Sequence, residues 1–344
     1  MTFENYMHSF RLKASKAGYS EENIQKCLSY AKPLIDRNLP VIFNTSHLSL
    51  LVGYNRNFIK RAALYTDYFY RSFQIKKKSK KLRYLKEPLP SLKEIQIWIL
   101  QDILYSVPVS KFAKAYVQKR SLVDNVKYHR GKETVLSLDI KDFFPSVKRP
   151  SVEKIFREFG YSSNIANLLS KLCCCDECLP QGAPTSPYLS NLYLRSLDLN
   201  VSEYAVSKNL RYTRFADDLT LSGTMDAEAV IEFVKHELTK LSLELNIDKL
   251  RIMRQDVRQE VTGIVVNEII QVPRTYREKI RQEIHFIEKF TLDGHMKNTK
   301  NTRSNYLRHL LGKVNFVLQV NKDDFKMIQY KEYLKALIKI TPGA

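Results

Sequence analysis

The spacing of apolar positions divides the chain into three stretches. From residue 1 to about 132 it reads as helical followed by a basic hairpin: Ile24, Cys27 and Leu28 mark one apolar face, and Leu92 to Leu104 forms a second helical run. Residues 133 to about 273 alternate strand and helix patterns. Thr134 to Ile140, rich in Val, Leu and Ile, predicts a buried strand that delivers Asp139 at its C-terminal end. Two more apolar arms, Leu210 to Phe215 and Leu219 to Leu221, flank a tight Ala216-Asp217-Asp218 connection, which is a β-hairpin pattern with acids at the tip. Leu189, Leu192, Tyr193, Leu197, Val201 and Tyr204 recur at helical spacing. From Tyr276 onward the pattern is helical, and Tyr306, Leu307, Leu310, Leu311, Val314, Val317 and Leu318 form one apolar stripe expected to be core. The expectation is an α+β chain with lobes at 1–132, 133–273 and 274–344, packed together because no Gly/Ser-rich linker, repeat or low-complexity tract separates them.

Between the two acidic places lies a loop dense in Pro and small residues, Leu179 to Pro187. Ser186 suits a helix N-cap and Pro187 the first helical position, so the loop should end at a helix start with free N–H groups. Gly182 and Ala183 would let a base pair or sugar come close to the backbone. No apolar run reaches the ~20 residues that span a bilayer, so no membrane partner is expected. Cys173, Cys174, Cys175 and Cys178 are clustered, and Cys175 with Cys178 has CxxC spacing that raises zinc; no second pair completes a four-ligand set, so packing is the expected role. Unpaired thiols and the absence of a signal peptide in Met1 to Ser15 point to a reducing cytoplasm.

Charge sharpens the picture. Lys plus Arg number 56 against 36 Asp plus Glu, a formal net charge of +20, so a polyanion is the expected partner and its binding should depend on salt. Basic residues concentrate from Lys76, Lys77 and Lys78 to Arg83, after the aromatic stretch Tyr65 to Phe73, an interleaving that suits nucleic acid and also suits a solvated hairpin. In so basic a chain, carboxylates gain nothing electrostatically by crowding together unless a cation sits between them. Hard cations such as Mg²⁺ prefer carboxylate oxygens, and a pair of them can activate a hydroxyl and stabilise a leaving phosphate oxygen. Asp139 with Asp217 and Asp218 therefore predicts a metal-dependent nucleotidyl transferase, although each cluster taken alone could be an ordinary strand end or turn.

The order Asp139-Ile140-Lys141-Asp142-Phe143-Phe144, then Pro180-Gln181-Gly182, then Phe215-Ala216-Asp217-Asp218 resembles motifs A, B and C of reverse transcriptases. Leu245-Asn246 with Lys249 resembles motif D, and the likeness runs from about Ile75 to the C-terminal helices. Asn125-Val126-Lys127-Tyr128-His129 and Val261-Thr262-Gly263 are similar to elements of the bacterial retron branch. The sequence departs from the pattern at Phe215, where Tyr is usual, and at Val126, where Ala is usual.

The resemblance implies a right-hand polymerase of fingers, palm and helical thumb, the palm being an antiparallel sheet with packed helices. It implies two Mg²⁺ ions on Asp139, Asp217 and Asp218 and the Ile140 backbone. Around the incoming dNTP it implies Arg83 and Arg120 on the triphosphate, Gln181 and Gly182 beside the nucleotide, Phe144 excluding a 2′-hydroxyl, and Lys249 protonating pyrophosphate. For RNA it implies Lys76, Lys77, Lys78, Asn125, His129, Thr262 and Gly263. The product implied is a branched RNA–DNA molecule (msDNA), begun from a 2′-hydroxyl of a structured non-coding RNA (msr-msd), with a role in antiphage defence beside a separate effector protein. Two other readings compete: a reverse transcriptase of another bacterial class, and a catalytically silent RNA-binding scaffold or antitoxin. Within the first, the intron type would be expected to carry a maturase or endonuclease extension, while a diversity-generating type would share the acids; the second sits poorly with complete acidic and Gln-Gly elements, although Phe215 leaves it slight room.

Overall fold

In the computed structural model, which describes residues 2–76 and 82–341, the strands in chain order are β1 (Tyr70–Lys76), β2 (Leu82–Pro88), β3 (Thr134–Asp139), β4 (Arg211–Phe215), β5 (Asp218–Gly223), β6 (Arg251–Arg254), β7 (Glu260–Val261) and β8 (Ile264–Val265). They pair as a β1–β2 hairpin, a four-stranded antiparallel sheet in the order β4-β5-β3-β6, and a small β7–β8 hairpin. With helices making up most of the rest, the fold is α+β.

The chain packs into two units, each assembled from separated segments. One comprises residues 1–118, 140–201 and 235–245. Its core joins Leu34, Ile59, Ile95, Phe156 and Leu169 from helices that lie far apart in sequence, with Ile42 from a connecting segment. The β1–β2 hairpin belongs to this unit, and its strands are mostly exposed. The predicted helix from Leu92 is present as Pro90–Trp98, then widens into a π-helical turn at Ile99–Ile103 and tightens into a 3₁₀ turn at Leu104–Ser106.

The other unit comprises residues 119–139, 202–234 and 246–344 and holds the four-stranded sheet. Strands β3, β4 and β5 are buried on both faces; β3 runs largely apolar, whereas β4 and β5 bury the polar side chains of Thr213, Arg214, Thr220 and Ser222 beside Leu219 and Leu221. The stripe predicted after Tyr276 is core here: Tyr306, Leu307, Leu310, Val314 and Val317 are buried, and Leu311 and Leu318 pack against them. Each fully buried aliphatic side chain of this kind contributes roughly 1.5–3 kcal/mol. Helix Arg274–Asn298 kinks where Thr291 leaves helical geometry at φ 62°.

Two helix expectations shift. The series from Leu189 to Tyr204 is two helices, Ser186–Tyr193 and Arg195–Ser207, with Leu194 between them. The first begins one residue earlier than expected: Thr185 is the cap, without a side-chain capping bond, Ser186 is already helical, and Pro187 follows it. The Thr185 and Ser186 hydroxyls are turned into the interior instead.

Candidate active site

The antiparallel register β3–β5 sets Leu138 opposite Leu219 and Asp139 opposite Asp218, so two acids end adjacent strands as neighbours on one face. On the other side of β5, Phe215 pairs with Asp218, leaving Ala216 and Asp217 as the hairpin turn. Ala216 adopts φ 60°, a conformation that glycine usually supplies. Arg214, fully buried, stabilises it by donating from Nη1 to the Ala216 carbonyl at 2.9 Å. The acidic tip is thus held by local chain geometry and a buried cation.

Asp139 is 7% exposed at its side chain and anchored on three sides. Its backbone carbonyl accepts from the Asn246 N–H at 2.8 Å, and Asn246 Nδ2 donates to Oδ1 at 3.1 Å. Lys249 Nζ donates to Oδ1 and Oδ2, both at 2.8 Å. Burial works against the Lys249 charge, but the Asp139 hydrogen bonds and the nearby Asp139, Asp217 and Asp218 charges outweigh it and raise its pKa. Burial, then repulsion from Asp217 and Asp139, pushes the Asp218 carboxyl up to about 7, with Lys249 opposing. A hydrogen bond with Asp139 adds to the rise.

This donor set fits a hard divalent cation. The Asp217 and Asp139 charges make ionised Asp218 costly, and both oxygens of buried Asp139 already hold an ammonium. Asp139, Asp217 and Asp218 are the residues that would hold Mg²⁺. Asn246, Arg214 and the pairing of Lys249 with Asp139 went unforeseen as site features; a polar residue inside an apolar strand arm, as Arg214 is, was the available signal.

A second group, in the other unit, brings ligand atoms of Asp67, Cys175 and Asp176 within 4.8 Å of one another. It is the group that simple proximity selects, yet the chemistry favours a structural ion pair. Lys86 Nζ pairs with Asp176 and lies 3.6 Å from Cys175 Sγ, which donates to Asp67 Oδ1 at 3.2 Å. Burial, with Asp67 accepting that bond, pushes the Cys175 thiol up to about 12, so a cation and a protonated thiol fill the place. Cys178 Sγ donates to the Cys175 carbonyl, and the CxxC pair closes a tight turn.

The remaining predicted residues distribute as follows. In the unit with the β1–β2 hairpin, Lys76 and Arg83 are exposed, and Lys77 and Lys78 lie outside the described residues. Phe143 is buried, whereas Phe144 is half-buried with its ring 6.5 Å from that of Tyr116. Ile140 is buried and bridges to Leu245. The Gln181 carbonyl accepts from the Lys86 N–H at 3.0 Å, and Gly182, at φ 136°, lies against the same strand. In the unit with the acids, Arg120 is exposed, and Thr262 and Gly263 form the β7–β8 turn with φ of 47° and 83°.

Asn125 and His129 depart from the expectation of RNA contact, because both are 0% exposed. Asn125 Nδ2 donates to Thr262 Oγ1 at 3.4 Å, which ties it to the Thr262-Gly263 turn. His129 has Nδ1 2.7 Å from Ser222 Oγ and Nε2 2.8 Å from Thr213 Oγ1. Burial, aided by Lys132, lowers its pKa from 6.5 to about 3, so the folded state holds a neutral ring that the unfolded chain would protonate. The resulting stability is complete above pH 6.5 and is lost as pH falls toward 3, by up to about 1.4 kcal/mol per unit. Urea unfolding at about pH 7 and about pH 5 should show this acid slope in the wild type and a shallower one in His129→Asn; parallel slopes would count against it.

Among the described residues no helix is long and apolar enough to cross a membrane. Residues 75–287 match the family described as reverse transcriptase (RNA-dependent DNA polymerase). The retron Ec86 reverse transcriptase of Escherichia coli is 32% identical over 298 residues, 85% of this chain and 89% of that protein. The retron Mx162 reverse transcriptase of Myxococcus xanthus is 31% identical over 274 residues, 69% of this chain and 56% of that longer protein. A foamy viral protease–reverse transcriptase solved with double-stranded DNA aligns at TM-score 0.46 and 14% identity, over 80% of this chain and 40% of that one.

Proposed function

The chain belongs to the bacterial retron reverse transcriptases and is an RNA-directed DNA polymerase; from that premise we propose that it makes msDNA by two-metal nucleotidyl transfer. Synthesis starts from a 2′-hydroxyl of its cognate msr-msd RNA, uses dNTPs, and leaves RNA and DNA joined at a branch. The observation that carries the mechanism is the Asp139–Asp218 pair where β3 ends and β5 begins, with Asp217 in the adjoining turn and Asp139 accepting from the Lys249 ammonium.

Mg²⁺ bound there would acidify the attacking hydroxyl and neutralise charge on the leaving oxygen. Asp139 and Asp217 would be its main anchors, with Asp218 beside them and the Ile140 carbonyl as a further oxygen. Arg83 and Arg120 grip the triphosphate, a task for which the planar guanidinium fork is suited. Phe144 excludes a ribonucleotide 2′-hydroxyl, and Gln181 with Gly182 faces the base pair. Lys76, Lys77, Lys78, Thr262 and Gly263 contact RNA, with Asn125 supporting the turn from beneath. The enzyme works in the cytoplasm and serves antiphage defence together with a separate effector protein.

Lys249 is the proton donor to pyrophosphate once it leaves Asp139. Its pairing with Asp139 keeps it charged and at the site until then. Lys249→Gln should lower the single-turnover rate by about 10²-fold, the low end of general-acid effects. An unchanged rate would remove Lys249 from the chemistry.

The proposal is tested by sequencing and debranching the nucleic acid that copurifies with the protein. A DNA joined 2′–5′ to an RNA is the expected finding. Linear RNA alone, from cells that express the neighbouring RNA, would contradict it.

A further inference from the structure

We propose that His129 is a positioning residue for the hairpin that carries Asp217 and Asp218: its imidazole is a strut between β4 and β5 that fixes how their tip is presented beside Asp139. This inference rests on the assignment of those two acids to catalysis. A buried histidine with satisfied nitrogens is usually a packing feature; His129 differs in where its two bonds land.

They land on both strands of one hairpin. Thr213 pairs with Thr220 and Arg211 with Ser222, so Thr213 and Ser222 are diagonal neighbours on the same face of β4–β5. A planar ring bonded to both hydroxyls, at 2.8 and 2.7 Å, resists sliding of one strand along the other. Sliding of β4 along β5 would displace the Ala216-Asp217 turn that joins them, while the β3–β5 register holds Asp218 opposite Asp139, so the strut sets where Asp217 stands against that pair.

The strut has firm ground behind it. Next to His129, Arg130 Nε donates to the Glu268 carbonyl at 2.6 Å, and the Gly131 N–H donates to the Val266 and Asn267 carbonyls at 2.9 and 2.7 Å. Burial keeps the ring neutral, with one nitrogen donating and the other accepting, and either tautomer satisfies two hydroxyls. The retron-like element Asn125 to His129 thereby acquires a role inside the protein, where the sequence had suggested RNA contact.

Because His129→Ala would leave a buried gap, the test removes the hydroxyls and keeps the ring. Thr213→Val, Ser222→Ala and the double variant are compared in the full chain with Thr213→Ser, which retains the bond. The measurements are kcat and KM for dNTP on an RNA template with a DNA primer, template-primer affinity, Mn²⁺ affinity by electron paramagnetic resonance, and melting temperature. Losing one hydrogen bond that aligns reacting groups should lower kcat about tenfold in each single variant, and Mn²⁺ affinity should fall severalfold. KM and template-primer affinity should stay within about twofold of wild type. Thr213→Ser should restore kcat.

The inference is overturned if the variants melt earlier yet keep wild-type kcat and Mn²⁺ affinity, if Thr213→Ser is as impaired as Thr213→Val, or if template binding falls while kcat holds. Asp217→Asn, run alongside, separates the two levels. If it is inactive while the hydroxyl variants are normal, only the strut falls; if it is active, the catalytic assignment falls too.

Discussion

Replacing Asp217 by Asn should abolish RNA-templated DNA synthesis, lowering the single-turnover rate by at least about 10³-fold while the protein stays folded. The size follows from what the carboxylate supplies. Metal-assisted stabilisation of a phosphoryl transition state is worth several kcal/mol, and each 1.36 kcal/mol is about a factor of ten in rate. Folding should survive because Asn keeps the side chain's shape in a turn set by the Ala216 backbone and the Arg214 bond to its carbonyl. Removing the charge also relieves repulsion on Asp218, whose carboxyl Asp217 helps to raise to about 7. The variant should therefore melt no lower than wild type without metal, and it should gain less stability from added Mg²⁺. A folded variant with wild-type rate would mean that Asp217 is only a turn residue.

Gly182→Ala should be the next most damaging single change, lowering activity by about 10²-fold, the scale on which an ångström of misplacement is felt. Two features make Gly182 irreplaceable. Its φ of 136° is a conformation that L side chains rarely adopt, and a Cβ there would stand 2.7 Å from the Lys86 carbonyl oxygen and 3.2 Å from its carbon. Those atoms are backbone, held by the Lys86 N–H bond to Gln181, so they cannot turn aside as a flexible side chain would. The added methyl must push β2 from the loop or twist the loop from β2, at about 1–3 kcal/mol. Lys86→Ala is the control, because it removes the contact with Asp176 and leaves the backbone junction intact. It should lose far less activity; equal loss in the two variants would place the effect in the ion pair instead of the glycine.

What the sequence disclosed and what it hid have physical reasons. The strand to Asp139, the acidic hairpin and the C-terminal stripe were legible because each is a local pattern, an apolar run or a helical period, closed by a turn or a charge. Helix boundaries were less so: nothing local marks the break at Leu194 between Ser186–Tyr193 and Arg195–Ser207. The two packing units could not be read along the chain, since residues 140–201 and 235–245 join the first 118 through contacts distant in sequence. Polar groups used inside the fold were the hardest. Arg214, Asn125 and His129 look like surface or ligand-facing residues until burial shows that their partners are Ala216, Thr262, Thr213 and Ser222. Lys249 was singled out for a reaction step, whereas its bonds to both oxygens of Asp139 followed only from the folded site.

The central claim is that Asp139, Asp217 and Asp218 form a divalent-cation site. Anomalous diffraction from crystals grown with Mn²⁺, an RNA template, a DNA primer and a nonhydrolysable dNTP tests it directly. The account predicts Mn²⁺ on the Asp139 and Asp217 carboxylates, with the Lys249 ammonium released from Asp139. Mn²⁺ bound only at Asp67, Cys175 and Asp176, with Lys249 still on Asp139, would contradict it.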